Sequence, residues 1–208
     1  MEILYRDDQI AVCRKPAGVL SEGEITDQRT MPGMIAAALA GEDGSLPSVY
    51  PVHRLDRETE GIMVWALTEK AAASLSRAVA ERRIEKQYVA RVHGRPEADE
   101  GELHDLLYYD RSRNKSFPVK RERKGVKEAV LTYTLTHYDE AANVSTLRIT
   151  LGTGRTHQIR VQFASRGMPL VGDRKYGAPA SDGNALALSS VYLAFPHPKT
   201  GSIMTFSL

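Results

Sequence analysis

A single cysteine, Cys13, occurs in the 208 residues, so no internal disulfide can form, which fits a reducing cytoplasm. No apolar run approaches the ~18–20 residues that span a bilayer. The opening MEILYRDD is acidic and mixed, which excludes a signal peptide. Internal repeats, heptads and low-complexity tracts are absent. The six histidines (53, 93, 104, 137, 157 and 197) form no HExxH pair, and no CxxC exists, so no dedicated metal site is expected. GTGRTH at 152–157 lacks the last glycine of a dinucleotide fingerprint, and no GK[ST] follows. A GxSxG elbow and a facing pair of carboxylates are missing too. These absences exclude most cofactor, metal and serine-nucleophile chemistries.

What remains is an ordinary globular composition, 42% apolar and 26% charged, with a net charge of +2. A chain of this length buries roughly 70% of its unfolded surface and needs no disulfide or metal to fold. The charge is unevenly spread. RSRNKSFPVKRERKGVK, at 111–127, carries eight Lys or Arg and one acid, so the rest of the chain is net acidic. Such a stretch suits a phosphate-bearing partner, or else is a solvated loop.

Along the chain, EILYRDDQIAVCRKPAG reads as strand, turn, strand and KPAG turn. MPGMIAAALA reads as a short helix ended by Gly41. IMVWAL at 62–67 is a continuous apolar run, expected as a buried strand. Thr68 suits a helix N-cap, with Ala72, Leu75, Ala78, Val79 and Arg82 following at helical spacing. KQYVARVHG is a strand ending at Gly94. Residues 95–127 show little periodicity and are expected to leave the core as a cover over the substrate. EAVLTYTLTHY alternates, with Ala129, Leu131, Tyr133 and Leu135 on one face and Thr132, Thr134 and Thr136 on the other. It pairs with NVSTLRITL across DEAAN. A helix is expected from Thr156 to Arg166 with Gly167 as its stop, and the end of the chain reads as a hairpin. The whole suggests an α+β fold, a mixed, mostly antiparallel central sheet with flanking helices, and a single domain over 1–208.

Cys13 lies inside an apolar strand and reads as core. Glycines feeding a helix N-terminus at 152–157 could bind a phosphate, helped by Arg155. His157 sits in the same turn. The most suggestive stretch is HRLDRETEG, at 53–61, just before the buried strand. Opposite charge favours an ionised carboxylate, and arginine fixes its direction by a bidentate pair. An ionised aspartate serves as nucleophile or base. A surface salt-bridge cluster would look the same in isolation.

Four ordered stretches resemble the RluA-like family of pseudouridine synthases: YRDDQIAVCRKPAGVLS, HRLDRETEG with IMVWALTEKAA, KQYVARVHG, and LGTGRTHQIRVQFASRGMPLVGDRKYG. HPKTGSIMTF near the end also fits. The resemblance implies an isomerase acting on a uridine in structured RNA. The N-glycosidic bond breaks, the uracil turns, and C5 joins C1′ of the same ribose. It implies Asp56 as catalyst, either attacking C1′ or removing the C2′ proton. Tyr88 would stack on the uracil, Arg160 would pair with Asp56, and Arg54 would fill the gap left by the flipped base. Base and sugar are both kept, so no cofactor and no metal are implied. Flipping costs a few kcal/mol of unstacking, which an aromatic ring and a cation offset.

Arg155 and His157 are assigned to RNA or site support, and Lys120, Arg121, Arg123 and Lys124 to RNA contact. Ribosomal RNA is the first expected target and transfer RNA the second, with the chain a cytoplasmic monomer. No appended N-terminal RNA-binding domain is expected, so the catalytic domain itself would recognise RNA. Three positions depart from the family pattern: Glu60, where many relatives have serine; Gln162, where many have histidine; and Ser21–Glu22, where a histidine often stands. The competing reading is a non-catalytic RNA-binding or ribosome-assembly factor on the same fold. A metal-dependent nuclease lacks the necessary ligand cluster.

Overall fold

Eleven strands and three α-helices form among the described residues, which in this computed structural model are 1–183 and 185–208. The chain divides into two units, residues 1–86 with 190–208, and residues 87–189. It crosses between them inside strands rather than through a Pro- or Gly-rich linker, so the sequence carries no mark of a boundary there.

In the first unit β1 (Glu2–Arg6), β2 (Ile10–Lys15) and β4 (Glu60–Ala66) pair antiparallel in that order. The short β3 (Tyr50–Pro51) also pairs with β4. β10 (Leu188–Pro196) lies next to β4 and makes the expected hairpin with β11 (Ile203–Ser207). The β1–β2 turn is fixed by Asp7, whose carboxylate accepts from the Gln9 and Ile10 N–H groups at 2.7 and 2.9 Å. From Gly61 onward β4 is fully buried, as a continuous apolar run requires. Helix α2 (Glu69–Ala80) packs on it, burying Ala71, Leu75 and Ala78. Thr68 caps this helix, its hydroxyl accepting from Ala71 N–H at 3.1 Å. Arg82 is not on the helix: it follows its end with a positive φ of 56° and is exposed. Helix α1 (Met31–Ala38) is capped by Thr30 and carries Pro32 in its first turn.

In the second unit the strand order is β5 (Glu85–His93), β9 (Val144–Leu151), β8 (Val126–Asp139), β6 (Glu100–Asp110) and β7 (Lys115–Val119), each neighbouring pair antiparallel. Residues 95–127 are therefore not an excursion. About half of them form β6 and β7, and β6 pairs along its length with β8. The period was hidden because only Leu103 and Leu107 on β6 are fully buried, among charged and half-buried neighbours. Helix α3 runs from Gln158 to Ala164, shorter than expected at its start, where His157 adopts a left-handed conformation (φ 55°). The helix ends at Ala164, two residues short of the expected Arg166, and Gly167 (φ 76°) closes the turn that follows, with Met168 N–H bonded back to Phe163 O and Gly167 N–H to Ala164 O. Val161 of α3 packs on Leu107 and Ala129.

No helix of the described residues is long and apolar enough to cross a membrane.

Candidate active site

Asp56 is half-buried in the loop that enters β4. The preceding KPAGVLS segment grips this loop by its backbone. Lys15 is wholly buried, and its ammonium donates to Arg57 O at 2.8 Å and Pro16 O at 3.0 Å. Burial pulls its pKa down to about 8, against the opposing pull of Glu58, Asp56 and Glu60. Gly18 N–H donates to Arg57 O at 2.9 Å, and Arg57 Nε donates to Gly18 O at 3.0 Å. Ser21 makes a reciprocal clamp. Its hydroxyl donates to Leu55 O at 2.7 Å and accepts from Leu55 N–H at 3.1 Å. Arg57 thus braces the loop and is more than a surface charge. Ser21, a departure from the family pattern, fixes the residue next to Asp56.

His53 opens the same motif. Its Nε2 accepts from Val64 N–H at 3.2 Å, so the proton sits on Nδ1 and the ring is neutral. Among the described residues Nδ1 is buried with no hydrogen-bond partner. Burial, and then the charge of Lys86, hold the His53 pKa well below its ordinary 6.5. Lys86, of the KQY stretch, is itself pulled down to about 8 by burial. Arg54 extends outward, its side chain 66% exposed, and meets Glu22 at 3.1 Å. Glu60 meets Arg14 at 3.6 Å. Cys13 is buried, its thiol pushed up to about 12, as a core residue should be.

In the second unit Tyr88 is 5% exposed on β5, opposite Ile149, on the face that also buries Ala90 and Val92. Arg160 projects from α3 and is gripped by Asp173. Nε reaches Oδ2 at 2.6 Å and Nη2 reaches Oδ1 at 2.7 Å. Both side chains are buried, at 7% and 0% exposure. Its guanidinium also lies 5.2 Å from the centre of the Tyr176 ring. The Tyr176 hydroxyl is 3.0 Å from His157 Nδ1 and accepts from Ser116 N–H at 2.8 Å. His157 is therefore joined to the Arg160 network through a tyrosine. Asp173 also caps the 3₁₀ turn Arg174–Tyr176, accepting from Tyr176 N–H. Neither Asp173 nor Tyr176 stands out in the sequence, beyond their place in the PLVGDRKYG stretch.

Four N–H groups of the glycine turn are engaged within the chain. The N–H groups of Gly152 and Thr153 go to Val130 O, that of Arg155 to Gln158 Oε1, and that of Gln158 to Arg155 O. Arg155 Nε donates to Glu128 O at 2.7 Å. Gln162, the second departure, is fully buried, and its Nε2 points at Leu103 O, Asp105 Oδ2 and Ala129 O. It ties α3 to β6 and β8. Lys120, Arg121, Arg123 and Lys124 are all exposed between β7 and β8, where they share the lining of an open cavity of about 510 Å³ with Val119 and Glu122, Lys124 excepted.

Comparison with known proteins identifies the family. The RNA pseudouridylate synthase family matches residues 9–165. The dual-specificity RNA pseudouridine synthase RluA of Escherichia coli K12 is 37% identical over 209 residues, covering 98% of this chain and 90% of that protein. An uncharacterised RNA pseudouridine synthase of Aquifex aeolicus is 34% identical over 226 residues, covering 100% and 69%. The solved structure of human RNA pseudouridylate synthase domain containing 1 shares the fold, with a TM-score of 0.80 at 24% identity over 100% of this chain and 82% of that one. The chain belongs to the RluA-like family of RNA pseudouridine synthases, and is an isomerase.

Proposed function

We propose that Asp56 is the catalytic carboxylate of this pseudouridine synthase, with Tyr88 stacked on the uracil and Arg160 as the cation of the site. The observation that carries this reading is the treatment of the Asp56 loop. A polar side chain at the mouth of a fully buried strand is flanked by backbone held from Lys15, Gly18 and Ser21. Such bracing suits a group whose direction matters to the chemistry, because small misplacements are costly in rate. Asp173 similarly fixes the direction of Arg160.

The reaction balances without an oxidant or reductant. The C1′–N1 bond breaks, the C1′–C5 bond forms, C5 loses a proton and N1 gains one. Asp56 acts on C1′ or on the C2′ proton, and either role needs the ionised carboxylate. Arg54, exposed and cationic, fills the place of the flipped uridine. Arg155 and His157 support the RNA or the site, and Lys120, Arg121, Arg123 and Lys124 meet phosphates. The substrate is a structured RNA, ribosomal RNA first and transfer RNA second, and the chain acts as a monomer. The name of the Escherichia coli relative, dual-specificity, supports testing more than one RNA.

The test is to map pseudouridines in total RNA from cells with and without the gene. Loss of a specific site, restored by the wild-type gene and not by Asp56→Asn, is the expected result. An unchanged map favours an assembly or binding factor on this fold.

A further inference from the structure

At the end formed by β7, β6 and the start of β8, the sheet face opposite α3 in the second unit carries a group of apolar side chains where an open antiparallel face is ordinarily polar. The register sets Phe117, Tyr108 and Val126 side by side in one row across β7, β6 and β8. Val119 and Leu106 lie in the next row, and Val130 pairs with His104 beyond it. These side chains alternate with Leu107 and Ala129, which face Val161 of α3. Each of the six apolar residues is only half-buried. A contiguous apolar patch of this kind marks an interaction surface.

The charge around it identifies the partner. The Arg123 guanidinium lies 4.8 Å from the Tyr108 ring centre, and Lys115 Nζ lies 5.8 Å from that of Phe117. Residues 111–127, which form β7, the turns on either side of it and the start of β8, carry eight basic groups against Glu122. Glu128 on the same face is paired with His104 at 2.8 Å. Rings edged by cations fit an unpaired polynucleotide, whose bases stack while its phosphates meet the cations. An acidic protein partner would match the charge, but it would leave the aligned rings without a role.

We propose that this face is a stacking platform for unpaired bases of the substrate RNA, with Tyr108 and Phe117 as the ring surfaces and Arg123 beside them as a phosphate contact. The inference deepens the reading of the basic stretch as an RNA contact and rests on it.

The experiment measures binding of the purified full chain to a labelled oligouridylate and to an abasic strand of equal length and charge. The wild type is expected to prefer the strand with bases by about tenfold. The double substitution Tyr108→Leu with Phe117→Leu keeps apolar volume and removes both rings. It should cut the preference to what the Tyr88 pocket alone supplies, while leaving abasic binding and the salt slope unchanged. Tyr108→Phe should retain the preference, and Arg123→Gln should lower the salt slope by about one. A wild type that binds both strands equally, or a double variant that keeps the preference, overturns the platform. Because binding is read without turnover, a wild type with base preference that isomerises no uridine would overturn the proposed function and leave the platform standing.

Discussion

Arg160 and Asp173 form a buried two-bond pair, at 2.6 and 2.7 Å, that joins α3 to the 3₁₀ turn thirteen residues later. Removing one partner from such a pair strands a charge away from water. Asp173→Asn should therefore cost about 3–5 kcal/mol of stability, measured by chemical denaturation. Replacing both residues with apolar ones of similar volume, Arg160→Met with Asp173→Leu, should recover much of that loss and restore no activity. Recovery of turnover in the double variant would contradict the role given to Arg160.

The Ser21 clamp holds Leu55 by both its N–H and its carbonyl. Ser21→Ala deprives two buried backbone groups of that partner, at a cost of about 1–3 kcal/mol. Turnover should fall about tenfold with KM for RNA unchanged, since the loop that moves carries the proposed catalyst, Asp56. Steady-state kinetics on a modified transcript would check the split. An equal change in KM alone would place Ser21 in RNA binding.

His53 gives the fold an acid limit. Its folded pKa lies well below the ordinary 6.5, so the unfolded chain takes up this proton first as the pH drops. The stability contributed by neutral His53 is full above pH 6.5 and is lost as the pH falls toward the folded pKa, at up to ~1.4 kcal/mol per pH unit. His53→Gln, which can still accept from Val64 N–H, should flatten that part of the stability–pH curve. Denaturation series between about pH 4 and 8 test it.

Gly61 stands where the Asp56 loop becomes β4, with φ at +123°. A Cβ there would lie 2.2 Å from Ser190 O and 2.5 Å from Ser190 N. Both strain and collision oppose a side chain, so Gly61→Ala should destabilise by about 3 kcal/mol or more. Thermal melting of the purified variant reads this out directly.

Local signals were legible in the sequence because their causes are local. The IMVWAL run, the Thr68 cap, the Gly167 stop and the terminal hairpin each follow from a few adjacent residues. β6 was hidden because its pairing with β8 carries it, while its own apolar pattern is thin. The supports of the site were hidden for another reason. Ser21 meets Leu55 across 34 positions, and Gln162 meets Leu103 across 59, so no window of sequence contains both partners. Two of the three departures from the family pattern, Ser21 and Gln162, prove to be structural ties. Asp56 was legible through its motif, whereas Asp173 became visible only through the arginine it holds.

The central claim is that Asp56 drives isomerisation of uridine in RNA. Joining C5 to C1′ expels the C5 hydrogen, so transcripts labelled with tritium at C5 of uridine report the reaction as released tritium. The purified wild-type protein should release it from a ribosomal or transfer RNA transcript carrying the mapped site. Asp56→Asn, folded to the same melting temperature and binding the same RNA, should release none. Release by Asp56→Asn at the wild-type rate would contradict the account.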